Sequence, residues 1–180
     1  AQHGYDLCEN LGWLFVKDAP KANEVREHYY QTISFLYEQA FFKQIADWCE
    51  AHGLDLTGHT EEDVAGHPIR QGNYFQTMRH LQLPGADCHD YRYRLPRKIS
   101  FHESKLSVSV ARAYGKKRAM SEAMGGAGWG CSLQESRRGM HTMAAMGIST
   151  YVLHGFYYEC EHQGSQADWP ASFFYQNPYW

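Results

Sequence analysis

Between Lys21 and Gly53 apolar side chains recur every three or four residues, at Val25, Tyr29, Ile33, Leu36, Phe41, Ile45 and Trp48. That period predicts one long helix with a buried stripe, and Gly53 is a residue suited to ending it. The period then shortens. "LDLTGH", Leu54 to His59, reads as a strand, and the polar loop "TEEDVAGHPIRQG" follows it. "NYFQTMRHL", Asn73 to Leu81, returns to helical spacing; Pro84 and Gly85 are expected to end that segment, and "ADCHD" reads as a second strand with a polar end. "SFHESKLSVSVARAYG" reads as a third helix, with Ser100 and Glu103 at capping-box spacing. "KRAMSE" is a third strand. "SLQESRRGMHTMAAMG" is a fourth helix with a second box, Ser132 and Glu135. "ISTYVLHGFYY" is a fourth strand, rich in β-branched and aromatic residues.

Strands alternating with helices predict an α/β fold with a parallel sheet. The strands are short and nearly free of charge inside, as strands covered on both faces are. Their polar residues gather at the C-terminal ends: His59, then Asp87 and His89, then Glu122, then His154. A (β/α) barrel builds its site from the loops after its strands, and a doubly wound sheet also binds ligands there. Size favours the barrel in partial form. Eight strands need ~250 residues, whereas this chain of 180 residues carries four strand-like segments. The expected fold is a partial TIM (β/α)8 barrel spanning residues 1–180, about strands five to eight, truncated at both ends. The opening without Met and the ending "SFFYQNPYW" fit a piece of a longer protein.

Composition narrows the function classes. Net charge is -3 and the basic residues are scattered, so no basic stripe marks a nucleic-acid footprint. No apolar run approaches the ~20 residues of a membrane helix. "AQHGYDLCENLGWLF" lacks the basic and apolar regions of a signal peptide. The five cysteines contain no CxxC pair, which argues against a zinc ribbon and for reduced thiols. Aromatic residues make up 15% of the chain, enough either for a large core or for a cleft lined with rings.

Chemistry concentrates in a few places. Glu122 stands alone in "KKRAMSEAMGGAGWG", where a strand ends and Gly125, Gly126 and Gly128 leave room for a substrate. Trp129 offers a stacking wall for a sugar ring. Glycoside hydrolysis needs two carboxyl groups across the scissile bond, and Glu122 suits one of those roles; an ion pair near a helix start is the plainer alternative. "HTEED" places His59, Glu61, Glu62 and Asp63 within five residues. Such a cluster suits a substrate hydroxyl or a hard cation, or simply a solvated turn. Asp87 and His89 alternate along a strand, so their side chains share a face. With His59 and His154 they form a candidate polar ring, though neither HxH nor HExxH supports a metallohydrolase. Tyr157, Tyr158 and Trp169 are further candidate walls of a sugar site.

The stretches "DWCEAHGLDLTGH" and "GKKRAMSEAMGGAGW", with "LPGADCHDYR" between them, resemble the second half of the catalytic barrel of bacterial α-L-rhamnosidase-like glycoside hydrolases. The layout is similar to that of the β-galactosidase and β-glucuronidase barrels. The resemblance implies that Glu122, at the end of strand seven, is the nucleophile or general base. His59, Glu62, Asp87, His89, Trp129, His154, Tyr157 and Trp169 would then bind the carbohydrate. It also implies a partner acid at the end of strand four, upstream of Ala1, carried by the missing half in the same longer chain or in a homo-oligomer. The four strands alone should therefore be inactive. No cofactor is implied, although some relatives use calcium. A secreted or periplasmic setting suits polysaccharide degradation. The alternatives are a non-catalytic carbohydrate-binding half-barrel and, further off, a metal-dependent hydrolase.

Overall fold

The long helical period folds as two α-helices in line, α2 (Pro20–Tyr37) and α3 (Gln44–Ala51), joined by one wider π-helical stretch, Glu38–Lys43. Gly53 ends the run with φ +70°, and the Leu54 N–H reaches back 2.9 Å to the Cys49 carbonyl. The protein is known from a computed structural model that describes residues 3–60, 71–88, 102–155, 157 and 173. A short helix α1 (Leu7–Asn10) and a 3-10 turn (Leu11–Phe15) precede α2.

The buried side of this rod differs from the stripe expected. Val25 is buried and Tyr29 and Ile45 are half-buried, but Ile33, Leu36, Phe41 and Trp48 are exposed. The buried row is instead Ala22, Val25, Ser34, Glu38, Phe42, Ala46 and Cys49. Partner chemistry outweighs apolarity here, because Gln76, Arg79 and His80, ahead of the second strand, all hydrogen-bond Glu38.

The expected parallel sheet is present. Among the described residues it has four strands: β1 (Thr57–Gly58), β2 (Leu83–Cys88), β3 (Met120–Ala123) and β4 (Thr150–Leu153). They pair in sequential order β1-β2-β3-β4, every pair parallel, and the sheet curls into a half-barrel. Helix α4 (Tyr74–Met78) precedes β2, α5 (His102–Ala113) joins β2 to β3, and α6 (Leu133–Met146) joins β3 to β4. Asn73 caps α4 by accepting from the Phe75 and Gln76 N–H groups. Ser132 and Glu135 form the capping box expected for α6. The proposed cap Ser100 lies outside the described residues, so only the Glu103 half of that expectation falls within them.

One boundary moves. Pro84 and Gly85 were expected to close a helix, yet both lie inside β2. The Leu83 N–H bonds Leu56 of the β1 segment, so the missing Pro84 N–H falls on the opposite side, where pairing with β3 begins only at Gly85. Gly85 also has a packing reason to be glycine. A Cβ there would stand 2.5 Å from both the Gly58 carbonyl oxygen and Met120 Cε.

Among the described residues, two buried clusters hold these layers together. Ala86, Cys88, Val108, Ala111, Ala123, Met143 and Ile148 pack between the sheet, α5 and α6. Phe42, Tyr74, Met78, Leu81 and Val110 pack between the π-helical stretch, α4 and α5. Burying a side chain as fully as Met78 or Leu81 contributes about 1.5–3 kcal/mol each. No helix among the described residues is long and apolar enough to cross a membrane. Cys8, Cys49, Cys88 and Cys131 are free thiols.

Candidate functional site

The strand pleat decides which side chains reach the inner face. On β2, Ala86 and Cys88 join the cluster under α5, and Cys88 Sγ lies 3.0 Å from Ser104 Oγ. Alternation turns Asp87 the other way. On β3, Ser121 faces α6, with its Oγ 3.2 Å from Met143 Sδ, and Ala123 joins the same cluster. Glu122 therefore faces inward. On β4, the Tyr151 hydroxyl donates to the Met140 carbonyl of α6, so Val152 is the inward residue. Asp87, Glu122 and Val152 stand in one row, since Asp87 pairs with Glu122 and Glu122 with Val152.

His59 follows β1 and completes the group. Its Nε2 is 2.8 Å from Glu122 Oε2, across 63 residues of sequence, and its Nδ1 is 2.9 Å from the Thr60 carbonyl oxygen. The side chains of His59 and Glu122 are 27% and 29% exposed, enough for a ligand to reach them. Ligand atoms of His59, Asp87 and Glu122 all lie within 4.8 Å of one another. His154 follows β4, its backbone N–H bonded to the Ala123 carbonyl at 2.9 Å, one residue past Glu122. Its Nδ1 is buried and has no hydrogen-bond partner among the described residues.

The turn after Glu122 is made differently from the sequence expectation. The first residue in the left-handed region is Met124, at φ +71°, ahead of Gly128 at φ +73°. Non-glycine residues adopt that conformation uncommonly, and such positions gather at functional sites. Met124 is itself buried in the cluster beneath the strand end, which holds it there. Beyond the turn, the rings of Trp129 and Tyr157 lie 6.3 Å apart and tilted by 44°, two loops meeting as one aromatic wall.

Thus the structure brings together His59, Asp87 and Glu122, sets His154 at the neighbouring strand end, and pairs Trp129 with Tyr157. Glu62, His89 and Trp169 lie outside the described residues, as do Glu61, Asp63 and Tyr158. The direct contact of His59 with Glu122 had no sequence signal. The two residues are far apart in the chain, and only the curl of the sheet brings their strand ends together.

Among the described residues the donors at this point are two carboxylates and one imidazole, whereas calcium takes six to eight oxygens. Comparisons with protein-family models, curated proteins and solved structures returned no match.

Proposed function

We propose that this chain is the second half of the catalytic (β/α)8 barrel of a glycoside hydrolase, with β1 to β4 as strands five to eight. One observation carries the reading: a half-exposed glutamate at a strand end sits beside Asp87 and His59 on the inner face of a sequentially ordered parallel sheet. Trp129 and Tyr157 supply a wall of the kind that sugar rings stack on. Glu122 acts as nucleophile or general base at the anomeric carbon. Asp87 stands beside it on the adjacent strand, on the same wall, so the opposing acid comes from strands beyond these four. If that acid sits ~5–5.5 Å from Glu122 the reaction retains configuration, and if ~6.5–9.5 Å it inverts. The substrate is a carbohydrate, and the resemblance to rhamnosidases makes an α-L-rhamnoside the first to try.

The test is Glu122→Gln in the full-length protein, assayed on 4-nitrophenyl α-L-rhamnopyranoside and a panel of other aryl glycosides. The expected loss of kcat is on the order of 10²- to 10⁴-fold with the fold intact. Near-normal activity in the variant overturns the assignment. Sugar binding without hydrolysis by the wild type replaces it with a carbohydrate-binding half-barrel.

A further inference from the structure

We infer that His59 is a positioning residue that holds a proton against Glu122 Oε2 and leaves Oε1 as the reacting oxygen. The inference deepens the proposed function and rests on it for its kinetic consequence only. The argument is a count of protons. A neutral imidazole carries one N–H and one bare nitrogen. The Thr60 carbonyl only accepts, so the N–H belongs to Nδ1. Nε2 then faces a carboxylate oxygen at 2.8 Å. Two acceptors do not attract each other at that distance, so a second proton lies between them. Imidazole is the stronger base of the two groups in water by about two pH units. The proton is therefore assigned to His59 Nε2, which donates to Glu122 Oε2.

Two further titratable groups stand by the pair. Asp87 on β2 lies within the same 4.8 Å group, so a second carboxyl neighbours the imidazole. His154 follows β4 on the other side of Glu122. The strand that leads into His59 is short but pinned. Thr57 Oγ1 donates to the Leu83 carbonyl at 2.9 Å, and the Leu56 N–H donates to Gln82 Oε1 at 2.9 Å. With both ring nitrogens committed, His59 fixes the plane of the Glu122 carboxylate. A nucleophile or base needs its reacting oxygen aimed before the substrate arrives.

Two readouts test this in the full-length protein. The first is ¹⁵N NMR of histidine-labelled protein, with the His59 signals assigned by their loss in His59→Gln. Both ring nitrogens of His59 are expected to be protonated at neutral pH. Replacing Glu122 with Gln should lower the proton affinity of His59 about ten- to a hundredfold. A bare Nε2 at neutral pH, or a His59 titration unmoved by Glu122→Gln, overturns the inference, whatever the activity. The second readout is kinetic, on the aryl glycoside that the wild type hydrolyses. His59→Ala should lower kcat ~10- to 100-fold with KM little changed, the scale for losing a group that orients a working side chain. His59→Gln, which still donates but cannot ionise, should recover most of that loss and remove the alkaline limb of the pH profile. An unrecovered loss, or one confined to KM, counts against positioning. If no glycoside is hydrolysed, the proposed function fails while the NMR result still decides the proton.

Discussion

Glu38 and Glu122 are both held by a histidine, and almost everything else about them differs. The Glu38 side chain is 0% exposed and takes hydrogen bonds from Gln76 at 2.7 Å, Arg79 Nε at 2.8 Å and His80 at 2.6 Å, with a further bond from Arg79 Nη2. Burial alone pushes its carboxyl up. The hydrogen bonds from His80, Gln76 and Arg79, with the Arg79 charge, outweigh burial and hold it below the ordinary carboxylate range. Its donors lie on α4 and in the turn that feeds the N-terminal end of β2. Glu122 stands at the opposite end of the strands, on the open inner face, with one imidazole on one oxygen. A carboxylate surrounded by donors on every side is spent on structure. One held by a single oxygen at an exposed strand end retains capacity for a reacting partner.

The contrast is sharpened or broken by five changes, in falling order of effect. Glu122→Gln should remove activity by at least a hundredfold and leave the urea midpoint near that of the wild type; a large loss of stability would make Glu122 a second structural glutamate. Glu38→Ala should do the reverse, costing about 3 kcal/mol of folding free energy in denaturant titration. That is the low end for a broken buried pair, because Arg79 is 41% exposed and regains water. Acid should report the same asymmetry. The folded-state affinity of Glu38 for protons is depressed, so its stabilisation is complete above the unfolded carboxylate range and disappears as pH falls through the folded value. The wild type should therefore lose stability on acidification more steeply than Glu38→Gln, as read from urea midpoints between neutral and acid pH.

Gly85→Ala should act on both regions. The added Cβ meets the Gly58 carbonyl and Met120, forcing β1 outward. Overpacking of this kind costs about 1–3 kcal/mol, and here it also moves the strand that leads into His59, so kcat should fall with it. Ser132→Ala is the smallest change. Loss of the α6 cap should lower stability by about 1 kcal/mol with no effect on catalysis, measured by thermal melts beside turnover.

Much of the architecture could be read from the chain because its signals are local. Ser132 and Glu135 announce the start of α6, Gly53 announces the end of α3, and the alternation of short apolar runs with helices announces a parallel sheet. The site was legible to the extent that polar residues stop each strand: His59, Asp87, Glu122 and His154 all fall at or just past strand ends. The remainder depended on distant partners. Glu38 reads as a surface residue on a helix until Arg79 and His80 are known to face it. Pro84 reads as a terminator until the hydrogen-bond side of β2 is known. Met124 shows no sign of a left-handed conformation, which its burial rather than its residue type sustains.

Helix α5 belongs to both cores at once: Val108 and Ala111 pack under the strand ends, and Val110 packs with Phe42, Tyr74, Met78 and Leu81. The two clusters therefore share a single backbone, so α5 ties them together. In hydrogen-exchange terms, the amides of α5 should be among the slowest of the described residues to exchange, and loss of α5 should expose both clusters together. Loosening one glutamate's surroundings then raises the rate at which the other's are lost.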